Sequence, residues 1–145
     1  GFIGEPAMNF FEATVEGDRL VTDRFEYPLT ADMREAVEGA DGVTLGVRPE
    51  DIEVTAEGPA SDDDEFDTVV DVVEPMGNEN AVYLGFEADS TDTFVATVGG
   101  MRRIDGGESV VARFPSDAVH LFDAASGDAL HNRSLADAAD TEPRI

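Results

Sequence analysis

The stretch TVVDVVEPMGNENAVYLG, running from Thr68 to Gly85, decides the fold. Its first half is a series of β-branched valines, Val69, Val70, Val72 and Val73, interrupted once by Asp71, and its second half returns to Ala81, Val82 and Leu84. Apolar runs of about four to eight residues, rich in β-branched side chains, read as strands rather than helices. Between them Gly77-Asn78 is the asparagine–glycine turn pair in reverse order, so the spacing predicts a hairpin between Val73 and Val82.

The same grammar extends in both directions. Strands are predicted over 68–74 and 80–85 and, outside that stretch, over 9–16, 19–22, 44–48, 52–57, 93–98 and 109–114, where short alternating runs are punctuated by Gly, Asp and Pro. Gly17-Asp18 separates the first two, while Gly99-Gly100 and Gly106-Gly107 are expected to supply the positive φ of tight turns. One helix is predicted over 31–38: Thr30 caps it, Asp32 and Glu35 favour its positive end, and Gly39 stops it. Its apolar positions Met33 and Val37 give a single narrow stripe. The segment GPASDDDEF, 58–66, has no apolar period and reads as a loop. Short strands at this spacing point to a mainly β chain with one short helix, in small barrels or sandwiches.

Composition narrows the function classes. The chain has 145 residues, enough for one ordinary core or two small β lobes. With 41% hydrophobic residues it is no disordered acidic tail. Against 33 acidic residues stand 9 basic ones, all arginine, for a net charge of -24. The acids lie along the whole chain, which reads as adaptation to concentrated salt rather than as one acidic binding face. Cysteine is absent, excluding disulfides and thiolate metal sites. No apolar run approaches the roughly 20 residues of a membrane helix. The start, without Met and directly on an apolar patch, reads as that of an excised fragment with no signal peptide.

No motif for chemistry stands out. Asp62-Asp63-Asp64-Glu65 clusters carboxylates, but lacks the alternating ligands and central Gly of a calcium loop. His120 and His131 fit no metal-ligand spacing, and His120 is expected to pack at the edge of a β element. GGMRRIDGG, 99–107, lacks the order of a phosphate loop. Paired carboxylates are too abundant to single out a glycosidase-like pair. Nine arginines among 33 acids promise no nucleic-acid groove.

Four segments carry a family resemblance. Gly1-Phe2-Ile3-Gly4-Glu5-Pro6-Ala7-Met8-Asn9-Phe10 resembles the FIGxPxMNF junction of maltose and glycerol-phosphate importer ATPases, where the ATPase domain hands over to the regulatory domain. Gly46-Val47-Arg48-Pro49-Glu50 resembles that family's GxRPE motif. Val73-Glu74-Pro75-Met76-Gly77-Asn78-Glu79 is similar to its ExLGNE segment, and His120-Leu121-Phe122-Asp123 with Gly127 to its closing HLFD stretch. Pro75 departs from the pattern, so a strand is expected to stop or bulge there. Arg48 is placed to hold Glu50 or a neighbouring carboxylate with its planar fork.

The resemblance implies paired OB-like barrels, the second of the transport-associated (TOBE) type. It divides the chain into a first segment over 1–58, an acidic loop over 59–66, a second segment over 67–131 and a loosely ordered tail over 132–145. It implies a non-catalytic regulatory and dimerisation domain of the ATP-binding subunit of a sugar importer of haloarchaeal type. No cofactor is expected in the fragment; ATP and Mg would belong to the whole subunit. Implied partners are a second copy, permease subunits reached through the missing ATPase domain, and a regulatory protein, at the cytoplasmic face of the membrane. Motif or interface residues would be Phe2, Met8, Asn9, Gly46, Arg48, Pro49, Glu50, Gly77, Asn78, Glu79, His120 and Phe122, with Phe2, Met8 and Phe122 as exposed apolar contacts. Related molybdate barrels imply an alternative, oxyanion or small-ligand sensing through Arg102 and Arg103.

Overall fold

Alternating apolar and polar residues become eleven strands in a computed structural model that describes residues 7–56, 58–87 and 92–131. In chain order these are β1 (Asn9–Glu16), β2 (Arg19–Val21), β3 (Glu26–Pro28), the helix α1 (Ala31–Ala36), β4 (Gly42–Val47), a 3-10 turn (Pro49–Asp51), β5 (Glu53–Thr55), β6 (Glu65–Met76), β7 (Glu79–Gly85), β8 (Thr93–Gly99), β9 (Ser109–Arg113), a second 3-10 turn (Ser116–Ala118), β10 (His120–Asp123) and β11 (Ala129–His131). The fold is mainly β with one short helix, and its curled sheets are OB-like. Among the described residues no helix is long and apolar enough to cross a membrane.

The chain forms two compact units. One takes residues 10–47 together with 115–131, and its sheet has the order β11-β10-β4-β1-β2-β3. The other takes the described residues of 48–114 together with 7–9, and its sheet has the order β5-β9-β6-β7-β8. This departs from the linear division at 59–66, because 115–131 folds with the N-terminal strands. The reason is pairing: β4 needs a partner beyond β1, and β10 lies antiparallel to it, Leu121 opposite Leu45, both fully buried. Sequence periodicity missed β3, β10 and β11, since three or four residues are too few to display a period.

In the six-stranded unit, Leu20, Tyr27, Met33, Val43, Leu45 and Val119 are fully buried or nearly so. Each such aliphatic side chain gains about 1.5–3 kcal/mol on leaving water. The helix is two residues shorter at its end than the pattern predicts, stopping at Ala36 with Val37 as its cap. Its start is as read: the Thr30 hydroxyl accepts from the Met33 N–H at 3.2 Å.

In the five-stranded unit, the predicted hairpin is present, with Val73 opposite Val82 and Met76 opposite Glu79. Gly77 adopts φ +69, which glycine alone tolerates freely. Pro75 neither stops nor bulges the strand; it pairs with Asn80 inside β6. Pairing of β6 with β9 ends at Val69, so Pro75 lies on an edge where a missing N–H breaks no ladder. The bulge falls instead at Asp71, the residue skipped in the register between Val70 and Val72. Buried positions are Phe66, Thr68 and Val70 before it, and the phase shifts to a half-buried Val73 after it. Of the glycines expected to adopt positive φ around β8 and β9, only Gly107 does. Gly100 serves another need, close approach: a Cβ there would sit 2.6 Å from the Asn78 carbonyl oxygen. Phe66, Phe94 and Phe114 fill this core, with ring centroids 5.1 and 5.6 Å from Phe114.

Candidate functional site

The motif residues separate between the two units. In the six-stranded unit His120 on β10 lies directly opposite Gly46 on β4, so the GxRPE-like and HLFD-like segments are neighbours on adjacent strands. Gly46 adds no side chain to that face, and the His120 imidazole, 3% exposed, lies parallel to the Phe122 ring at 6.3 Å. Phe122 also meets Phe10 on β1 in a T-shaped contact, with ring centroids 6.0 Å apart. Three of the four segments thus meet at one aromatic row of His120, Phe122 and Phe10. Phe10 is 59% exposed at the end of that row.

The prediction of exposed apolar contacts needs correction. Phe122 and Met8 are half-buried, Phe122 because both neighbouring aromatic rings cover it. Phe2 lies outside the described residues, as does the tail from 132. The exposed large apolar side chains among the described residues are Phe10, Val72 at 50% and Met101 at 98%.

The five-stranded unit holds the remaining motif positions. Pro49 is buried at the head of a 3-10 turn in which Arg48 O accepts from Asp51 N–H at 3.0 Å. Arg48 and Glu50 point outward, and among the described residues Arg48 makes no ion pair, so the expected fork onto Glu50 is not formed. Proline and the turn fix this segment by backbone geometry rather than by charge. Gly77, Asn78 and Glu79 form the exposed hairpin end, where Gly100 N–H donates to Asn78 O at 2.8 Å. Asn9 has the most specific contact: its Nδ2 donates to Val95 O at 2.9 Å and its Oδ1 accepts from Val95 N–H at 2.9 Å.

Charge is organised around a residue that sequence reasoning passed over. Arg113 on β9 donates from Nη1 to Glu53 Oε1 at 2.9 Å and from Nε to Asp64 Oδ2 at 3.0 Å. Bonds to Glu53 and then Asp64 hold its guanidinium charged even more firmly than usual. Glu65, opposite Arg113 on the neighbouring strand, accepts from Ser61 and Asp62 N–H at 3.0 and 3.3 Å. Those backbone bonds, Ser61 first, hold its carboxyl below the ordinary glutamate value. Half of the acidic run 62–65 therefore orders its own loop. The only forewarning was one Arg in a strand among many acids. The Tyr83 hydroxyl, raised mainly by burial, donates to Glu74 at 3.2 Å.

Among the described residues no group of three His, Asp or Glu side chains is arranged to hold a metal. Arg102 gives Nη1 to Val54 O at 2.8 Å, so one of the two arginines considered for an oxyanion holds the loop to β5. A cleft of about 500 Å³ beside α1 mixes Leu29 and Val37 with Arg34, Glu35 and Glu38. What these residues provide is surfaces and turns.

Comparison with known proteins fits that character. Residues 4–52 match the MalK OB fold domain model and residues 45–122 match the TOBE domain model. The chain is 49% identical over 136 residues to the xylose/arabinose import ATP-binding protein XacK of Haloferax volcanii, covering 93% of this chain and 35% of that protein. It is 41% identical to XacJ of the same organism, covering 91% and 36%. It is 35% identical to the sulfoquinovosyl glycerol transport ATP-binding protein SmoE of Agrobacterium fabrum, covering 90% and 36%. The chain thus spans about a third of the length of these relatives. Among solved structures, the cytoplasmic molybdate-binding protein ModG superposes with a TM-score of 0.61 at 16% identity, covering 78% of this chain and 94% of that one. That likeness is one of fold.

Proposed function

We propose, from the premise that the chain belongs to the TOBE domain family and carries a MalK-type OB fold domain, that it is the regulatory and dimerisation domain of the ATP-binding subunit of an importer for sugars or related solutes. The observation that carries the reading is the 49% identity to XacK along 93% of the chain, with both family matches in order. In this reading the domain is non-catalytic, and ATP and Mg are handled by an ATPase domain outside it. Its partners are a second copy of the subunit, permease subunits reached through that ATPase domain, and a regulatory protein, at the cytoplasmic face of the membrane.

The mechanism is a bias on an equilibrium. A domain that holds its partner at a fixed separation limits how far the attached ATPase domains open and close, and any ligand or protein that prefers one separation shifts the balance. Phe10, exposed and backed by Phe122, offers a rigid aromatic contact of the kind that carries interface energy. The acidic surface is read as an adaptation to concentrated electrolyte rather than as part of the contact.

A chimera tests this. The corresponding segment of Haloferax volcanii XacK is replaced with this chain, and pentose uptake is compared with that of XacK and of XacK truncated before the segment. Uptake near that of XacK, lost on truncation, is the expected result. A chimera that accumulates and folds, yet transports no better than the truncated subunit, overturns the proposal.

A further inference from the structure

Strand β8 is the edge of the five-stranded sheet, paired with β7 on one side only. An edge strand presents outward N–H and C=O groups that another strand would normally satisfy. At Val95 both of these groups are taken, by one side chain. The Asn9 amide donates to Val95 O and accepts from Val95 N–H, each at 2.9 Å, across 86 residues of sequence. A carboxamide offers one donor and one acceptor side by side, as a peptide group does, so Asn9 stands in for a strand at this single position.

The place of this contact in the chain gives it meaning. Asn9 is the last residue of the leading segment to belong to the five-stranded unit, and Phe10 is the first to belong to the six-stranded unit. We propose that Asn9 is a latch: it ties the segment entering the domain to the edge of β8, so that displacement of that segment is delivered to the five-stranded unit through Val95. The transmission half of this proposal rests on the reading given above, in which an ATPase domain precedes the segment; the latch itself does not. Other side chains fit poorly. Aspartate keeps the acceptor but places an oxygen against Val95 O, and alanine supplies neither group.

The test is amide exchange on the 145-residue chain. In Asn9→Ala the Val95 amide should exchange about 10- to 30-fold faster, the factor for losing one to two hydrogen bonds, with amides of the β6–β7 ladder unchanged. Asn9→Asp, which still accepts from Val95 N–H, should fall between. Val95 exchange at the native rate in Asn9→Ala, or equal acceleration of every amide, overturns the latch. The second arm places Asn9→Ala in the XacK chimera, where ATP hydrolysis should persist while uptake per ATP falls. Unchanged coupling with accelerated Val95 exchange overturns the transmission. If the parent chimera does not transport, the functional reading has failed, and the exchange result still decides the latch.

Discussion

The five-stranded and six-stranded units use similar amounts of chain and are held together differently. The first is nearly continuous, 48–114, and its long strands β6, β7 and β8 follow one another through hairpins. The second joins 10–47 to 115–131, and its centre depends on β10 reaching β4. Local pairing closes small loops and non-local pairing closes large ones, so the six-stranded unit bears a greater ordering cost for shorter strands. The difference teaches that sequence order and structural unity part company where a strand of four residues completes a sheet.

Salt removal should separate the units most strongly. With 33 acids against 9 basic residues, self-repulsion is screened only where the Debye length is short, about 3 Å at 1 M. Dialysis from about 3 M to about 0.05 M salt is expected to unfold the chain, with β4–β10 amides losing protection before those of β6–β7. An unchanged circular dichroism spectrum across that range would refute it. Next in size is Leu121→Ala. Leu121 is fully buried and pairs with Leu45, so truncation should cost about 2–5 kcal/mol in denaturant titration. A loss below about 1 kcal/mol would mean that the long-range pairing is not what holds the unit.

These effects also explain what could be read from the sequence. Thr68 to Gly85 yields its hairpin because valine runs and a glycine turn act within 18 residues. The β10 strand was invisible as a strand, although His120 and Phe122 were legible as motif residues, because its partner β4 is some 75 positions away. The same holds at the candidate site. Asn9 stood out by its motif, but its engagement with Val95 needed the fold, and nothing local marked Arg113 as the centre of a charge network. Arg48 failed the other way: chemistry suited to a carboxylate fork was present, and a 3-10 turn directed the side chain outward.

Gly100→Ala tests the five-stranded unit where two turns meet. The added methyl would lie 2.6 Å from Asn78 O, against backbone that cannot swing aside, so about 1–3 kcal/mol should be lost. Shifted resonances confined to 77–80 and 99–101 are expected; native stability would mean that the hairpin end is soft. Smaller still is Arg113→Gln. Arg113 is 40% exposed and Glu53 61%, so solvent screening leaves about 0.5–1 kcal/mol for the pair of contacts.

The smallest effect is a pH dependence at Glu65, and its sign follows from its bonds. Ser61 and Asp62 N–H groups stabilise the carboxylate, so its folded value lies below the 4.5 it has when free. A depressed acid contributes stability that is fully present above 4.5 and is lost as pH falls through the folded value. Glu65→Gln keeps an oxygen for the same N–H donors but removes the charge, so the neutral limb of a stability–pH curve should drop slightly and the acid limb flatten below about 4.5. Because Arg113 faces Glu65 across the strands, the change should stay within the five-stranded unit. If the β4–β10 amides respond to the same substitution over the same pH window, the two units do not melt as separately as their construction from different chain segments implies.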